Sequence, residues 1–174
     1  MMYFTADTHF GHKNIINFCK RPFSSVQEMD DVLIMNWNAT VGKNDTIYHL
    51  GDFSMKAHRD YLAELNGNII FIKGSHDKWM KNTPSLIELR LPDRYVDAEF
   101  ASYPRYLVLC HYAMRSWKMS HYASWHLFGH HHGNLESHGL SFDVGVDCHK
   151  YSPISLDDVA EIMESLSPIV DYRR

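Results

Sequence analysis

The chain has 174 residues, 45% of them hydrophobic and 22% charged, which fits one domain over residues 1–174 with a sizeable core. The net charge of −4, with histidine neutral, argues against a stable nucleic-acid complex but not against a small anionic substrate held by metals. No signal-peptide pattern or membrane-length apolar run is present, and Cys19, Cys110 and Cys148 follow no paired spacing, which predicts reduced, buried thiols in a cytoplasmic protein.

In chain order, residues 2–6 predict a buried first strand ending in Asp7-Thr8-His9. A short helix follows over 13–19, broken at Arg21-Pro22-Phe23. Ser25 and Glu28 form a capping-box signature for a helix to about Asn38, with Val26, Met29, Leu33 and Trp37 at helical spacing. A second strand over 45–50 closes in Gly51-Asp52. A helix over 56–66 leads to a third buried strand over 68–73, closed by Gly74-Ser75-His76-Asp77. These alternating units predict an α/β layered fold whose first half is largely parallel. The second half reads as strand-rich. Residues 95–100 and 105–110 form a hairpin closed by His111, and 124–128 lead into Gly129-His130-His131-His132-Gly133. Alternation over 140–146 predicts a half-buried strand, and Ser155 with Asp158 caps a last helix.

Ligand-type residues therefore recur just after apolar strands: Asp7 and His9, Asp52, His76, His111, and His130 with His132. In layered α/β folds, sites form at the carboxyl ends of strands. On an extended backbone His130 and His132 share a side and His131 points away. Two carboxylates and several imidazoles suffice for two metal ions sharing one carboxylate. Such a pair clamps phosphoryl oxygens and generates hydroxide for attack on a phosphate ester. A histidine beside the ions can supply the proton for the leaving alkoxide.

Asp7-x-His9, Gly51-Asp52, Gly74-x-His76-Asp77, His111 and Gly129-His130-x-His132 occur in the order and rough spacing of the calcineurin-like metallophosphoesterases. The chain resembles the small single-domain bacterial and phage members, also in Thr8 to Asn14 and Arg21-Pro22-Phe23. The resemblance implies a layered β-sandwich flanked by helices, with a dimetal site at the carboxyl ends of its strands. It implies that Asp7, His9 and His132 hold one metal, that Asp52 bridges, and that His111 and His130 hold the other. His76 becomes the general acid and contacts phosphate. The implied ions are two divalent transition metals, manganese ahead of iron, zinc or nickel. One position departs: Ser75 stands where the family has a metal-ligating asparagine. It ligates more weakly or through water, or lets the second site weaken.

Around this set, His12, Lys13 and Asn14 either contact phosphate at a helix start or are simply solvated. Arg21 reaches the cleft or pairs with an acid, and Ser75 is a further phosphate contact. Arg115, within an aromatic-rich loop over 112–124, faces substrate or packs locally. His49 reads as a satisfied core histidine. Asp147 and His149 orient a ligand imidazole or serve a turn. Asp77 reads as a helix cap. The expected activity is a phosphodiesterase acting on a small nucleotide-type or cyclic ester. The alternative is a weakly active or inactive metal-binding scaffold, and a nuclease ranks behind both.

Overall fold

The computed structural model describes residues 1–55, 60–95 and 103–169. Its first strand, β1 (Met2–Thr5), alternates between two apolar clusters, Tyr3 in one and Phe4 in the other. β2 (Thr46–His49) does the same with Ile47 and Tyr48. A strand buried on both faces belongs inside a parallel layer, and β1 and β2 pair in parallel with Phe4 opposite Tyr48. β3 (Asn68–Phe71) continues the sheet in parallel, and β8 (Ile154–Ser155) closes it antiparallel to β1, giving the order β3-β2-β1-β8.

The second sheet has the order β4 (Leu86–Arg90), β5 (Tyr106–Cys110), β6 (Trp125–Phe128) and β7 (Ser141–Asp143). β5, β6 and β7 are parallel, and β4 is an antiparallel edge. Leu107, Leu109, Leu127 and Phe142 share one cluster with Phe4, Tyr48, Leu50 and Ile72, so the sheets enclose a common core. On the other side of the first sheet, α2 (Val26–Thr40) packs Met29, Leu33, Ile34 and Trp37 with Tyr3 and Ile47. α4 (Leu156–Glu164) adds Leu156, Val159 and Met163 to the inter-sheet core. α1 (Lys13–Phe18) and α3 (Tyr61–Glu64) are short. A parallel bridge between Ala6 and Gly145, with the Val146 N–H donating to the Ala6 carbonyl at 3.1 Å, ties the sheets together just beyond β1 and β7. The parallel strands of both sheets therefore end at one edge. No helix among the described residues is long and apolar enough to cross a membrane.

The expected β and α elements of the first half are present. The capping box of α4 is complete, with Ser155 and Asp158 exchanging hydrogen bonds. At α2, Ser25 accepts from the Glu28 N–H, but the Glu28 carboxylate turns to the Ser24 N–H and hydroxyl instead. Several expectations need correction. β3 is a sheet edge, not a buried strand, and Ile70 is 37% exposed. Residues 140–146 are buried throughout, because Ser141 and Asp143 satisfy their polar atoms on the His138 carbonyl and on the Gly133 and Gly145 N–H groups. The antiparallel neighbour of β5 is β4, not the expected strand over 95–100. Residues 96–100 of the expected hairpin and 56–59 of the expected helix lie outside the described residues. Of the three free cysteines only Cys110 is buried, and Cys148 is exposed.

Candidate metal centre

The segments leaving β1, β2, β3, β5 and β6 meet at the shared edge. Asp52 stands at the centre. Its Oδ2 has the Nε2 atoms of His111, His9 and His76 at 3.4, 3.7 and 3.9 Å. Asp52 Oδ1 accepts from the His76 N–H at 2.8 Å. Asp7, His9 and His132 form one group whose ligand atoms lie within 4.8 Å of one another, and Asp52, His111 and His130 form a second.

The donor set fits metal ions, and unpartnered atoms show why. Asp7 Oδ1, His9 Nε2 and His111 Nε2 are buried without a hydrogen-bond partner. Leaving such atoms unpaired costs about 1–3 kcal/mol each, so groups of this kind are normally paired or coordinate a cation. The tautomers agree. His111 Nδ1 donates to the Leu50 carbonyl at 2.8 Å and His132 Nδ1 to Asp147 at 2.7 Å, leaving Nε2 of each ring as the nitrogen that would ligate once deprotonated.

Burial raises the Asp7 carboxyl to about 7, against the pull of His111 and His132. Burial also disfavours charge on Asp52, yet the His111 imidazole and the His76 N–H hold its carboxyl well below the usual range. His132 is lifted to about 10, because its bond to Asp147 outweighs its desolvation.

Backbone strain runs through the group, as it does at Lys20, Met119, Ala123, Lys150 and Tyr151 elsewhere in the chain. Asp7, His9, Asp52, His130 and His132 all adopt positive φ, between 49° and 71°. Side-chain-bearing residues avoid this region at about 1 kcal/mol or more each, and functional sites are where such strain collects. The extended alternation expected for His130 and His132 is therefore incorrect. The chain turns at both, and their imidazoles enter different groups. His131 packs its ring against Phe128 and His130.

Along 175 aligned residues the chain is 35% identical to the uncharacterized protein MJ1445 of Methanocaldococcus jannaschii, covering 94% of this chain and 91% of that one. The chain belongs to the family of that protein. It is also 32% identical over 81 residues to the gene 66 protein of Mycobacterium phage L5, covering 43% of this chain and 39% of that one. A crystal structure of AQ665, a protein of unknown function from Aquifex aeolicus, shares the fold with a TM-score of 0.70 at 23% identity over 93% of this chain and 98% of that one. A Streptococcus pneumoniae protein described as a predicted phosphoesterase superposes at a TM-score of only 0.43, too loosely to bear on this site. No protein-family model matches the chain.

In this member of the family, acids behind the ligands build the centre. Asp147 grips the Arg21 guanidinium with both oxygens, each at 2.8 Å, while accepting from His132. Arg21 spends its remaining donors on the Asp7 and Thr8 carbonyls and the Met29 sulfur. Arg21 is therefore a buried strut, not a substrate contact. Cys19 lies beside His132 and Asp147, but the Asp147 oxygens are already engaged. Asp77 caps no helix, since none follows it. Its buried carboxylate takes the N–H groups of Asp52, Phe53 and Gly74 and joins two ligand loops. The sequence reading missed that role; the signal was an acid three residues after a strand-end glycine.

His76 is exposed, with its ring edge-on to His9 at 5.3 Å, and His12 lies tilted beside both. The Ser75 hydroxyl donates to Asp52 Oδ2 at 2.9 Å. Asn14 is exposed at the start of α1. Arg115 is exposed and lines a groove of about 310 Å³ with Met114, Phe128, Leu135 and Glu136. His49 is a satisfied core histidine, donating to Thr8 at 3.0 Å and accepting from the Gly51 N–H at 3.3 Å. His149 meets the Asp143 carbonyl, not a ligand.

Proposed function

We propose that this chain is a metal-dependent phosphoesterase that favours phosphodiesters, with Asp7, His9, His132 and the Asp52 carboxylate around one ion and Asp52, His111 and His130 around a second. The reading rests on the unpartnered His9 Nε2 and His111 Nε2, buried beside the Asp52 carboxylate, and on the unpartnered Oδ1 of Asp7, which is grouped with His9 and His132. Divalent ions in such a set supply Lewis acidity toward phosphoryl oxygens and make a bound water acidic. His76 serves as the proton donor: it is exposed, and its N–H on Asp52 fixes where its ring starts. His12, beside His76, contacts the phosphoryl oxygens. The exposure of His76 suits an ester with groups on both sides of phosphorus.

A second reading, a weakly active or inactive metal-binding scaffold, draws on Ser75. Its hydroxyl donates to Asp52, where the resemblance puts an amide oxygen that would ligate. One experiment separates the two. Manganese-supplemented protein is assayed on bis(p-nitrophenyl) phosphate and on the corresponding monoester. We expect faster diester turnover, loss of 10²–10⁴-fold in His76→Ala with metal content retained, and loss of both turnover and metal in Asp52→Asn. Absence of turnover in the parent together with its recovery in Ser75→Asn would favour the scaffold reading.

A further inference from the structure

The charge of the chain is unevenly distributed. Residues 8–21 carry Lys13, Lys20 and Arg21 and no acid. Residues 72–83 carry Lys73, Lys78 and Lys81 against Asp77, whose carboxylate is buried on backbone N–H groups. Residues 111–124 carry Arg115 and Lys118 and again no acid. These three stretches are ligand loops or follow directly from them, and they hold nearly half of the 17 basic residues but one of the 21 acids. Arg21 is spent on Asp147 and Lys118 on Glu88. Lys13, Lys20, Lys78, Lys81 and Arg115 are exposed and pair with no acid among the described residues. Glu136 is the acid on the loop after His132. A protein acidic overall thus presents a basic rim around an anion-processing centre. That is the arrangement that draws a polyanion in.

Of the exposed aromatic side chains on that rim, Phe18, Tyr112 and Trp79, two stand beside a ligand group, one at each. Phe18, 72% exposed, meets the His12 ring edge-on at 6.4 Å, and His12 lies 3.3 Å from His9. Tyr112, 47% exposed, packs against His111 at 4.9 Å and His130 at 4.8 Å. Aromatic faces on a cationic track are the common platform for unpaired bases.

From this rim we infer that the substrate is single-stranded nucleic acid, entered as a linear diester whose flanking bases stack on Phe18 and Tyr112 while Lys13, Lys78, Lys81 and Arg115 follow the neighbouring phosphates. This rests on the phosphoesterase reading and narrows its substrate class. The net charge of −4 speaks against this class for the chain as a whole, but the three stretches that form the rim hold nearly half of the basic residues and one acid.

The test has a binding arm and a turnover arm. In chelator, anisotropy of a labelled ten-nucleotide single strand (DNA and RNA in parallel) is followed against salt, with a blunt duplex and inorganic polyphosphate as competitors. We expect saturable binding with a salt slope of about −2 to −3, as for three or four phosphates on a single strand. Lys78→Glu with Lys81→Glu should flatten the slope by roughly 1.4. Phe18→Ala and Tyr112→Ala should each weaken binding about tenfold, with Tyr112→Phe restoring it. Polyphosphate should compete more weakly than the strand in the parent and as well as the strand once both rings are removed. In manganese, the ratio of kcat/KM for the strand to that for the aryl diester should fall at least tenfold in the ring variants. Equal binding by the ring variants, or polyphosphate competing as well as the strand in the parent, would overturn the inference. Aryl-diester turnover without strand cleavage would also overturn it while leaving the phosphoesterase reading intact. No turnover of either ester would instead refute that reading.

Discussion

Asp147 touches one candidate ligand side chain, His132, and fixes which nitrogen of that ring faces inward. The Arg21 guanidinium holds the carboxylate, and the carboxylate takes the His132 Nδ1 proton. Outer partners of this kind are worth 10–100-fold in metal affinity. Asp147→Asn should weaken manganese binding by that factor in calorimetry below its melting temperature, and Asp147→Glu should recover part of it. A lowered Tm with unchanged metal affinity would mean that Asp147 only braces Arg21. At this scale the candidate ligands were legible, because each is an Asp or His placed just after an apolar strand. Arg21 was not, because an arginine before a proline looks the same whether it faces solvent or holds a buried acid. The left-handed backbone at Asp7, His9, Asp52, His130 and His132 was also hidden, since only its glycine neighbours hinted at it.

Among the elements, the β3 exit and the β2 exit touch most closely. A methyl group on Gly74 would lie 2.3 Å from both the nitrogen and Oδ1 of Asp52, and one on Gly129 would lie 2.6 Å from Asp7 Oδ2. These glycines let two backbones approach candidate ligands. Gly74→Ala should cost about 2 kcal/mol by overpacking, a fall of roughly 4–8 °C in Tm for a chain of this size. It should also weaken manganese binding, because Asp52 must shift. A parental Tm and affinity would contradict the packing described. Parallel pairing of β1, β2 and β3 was legible from their apolar runs and the helices between them. β4 was not: its alternate residues are exposed, and an edge strand with one wet face lacks the apolar signal of an inner one.

For the whole molecule, two buried neutral imidazoles couple stability to pH. Burial pushes His49 down to about 3 and His126 to about 4. An unfolded histidine titrates near 6.5. Between those values the unfolded chain takes up protons that the folded one refuses. Their contribution is therefore complete above about pH 6.5 and is lost as pH falls, by up to about 1.4 kcal/mol per unit for each ring. Asp7 and His132, both raised in the fold, act with the opposite sign, so a difference measurement is needed. His126 donates to the Val108 carbonyl at 2.9 Å and accepts from the Met114 N–H at 3.2 Å, which a glutamine imitates. Urea midpoints at pH 7.5 and 5.0 should show a smaller loss in His126→Gln than in the parent. Equal losses would contradict a neutral buried His126. The layered α/β class followed from the order of elements and the two-sheet arrangement only from the family resemblance, whereas the stitch between Ala6 and Gly145 followed from neither, because no local signal marks a single bridge.

Manganese can be counted in chelator-stripped protein by calorimetric titration and elemental analysis of the parent, His132→Ala and His130→Ala. Two ions per chain are expected in the parent and one in each variant, lost from different groups. An uptake of none, or uptake that both substitutions leave untouched, would contradict a two-ion centre.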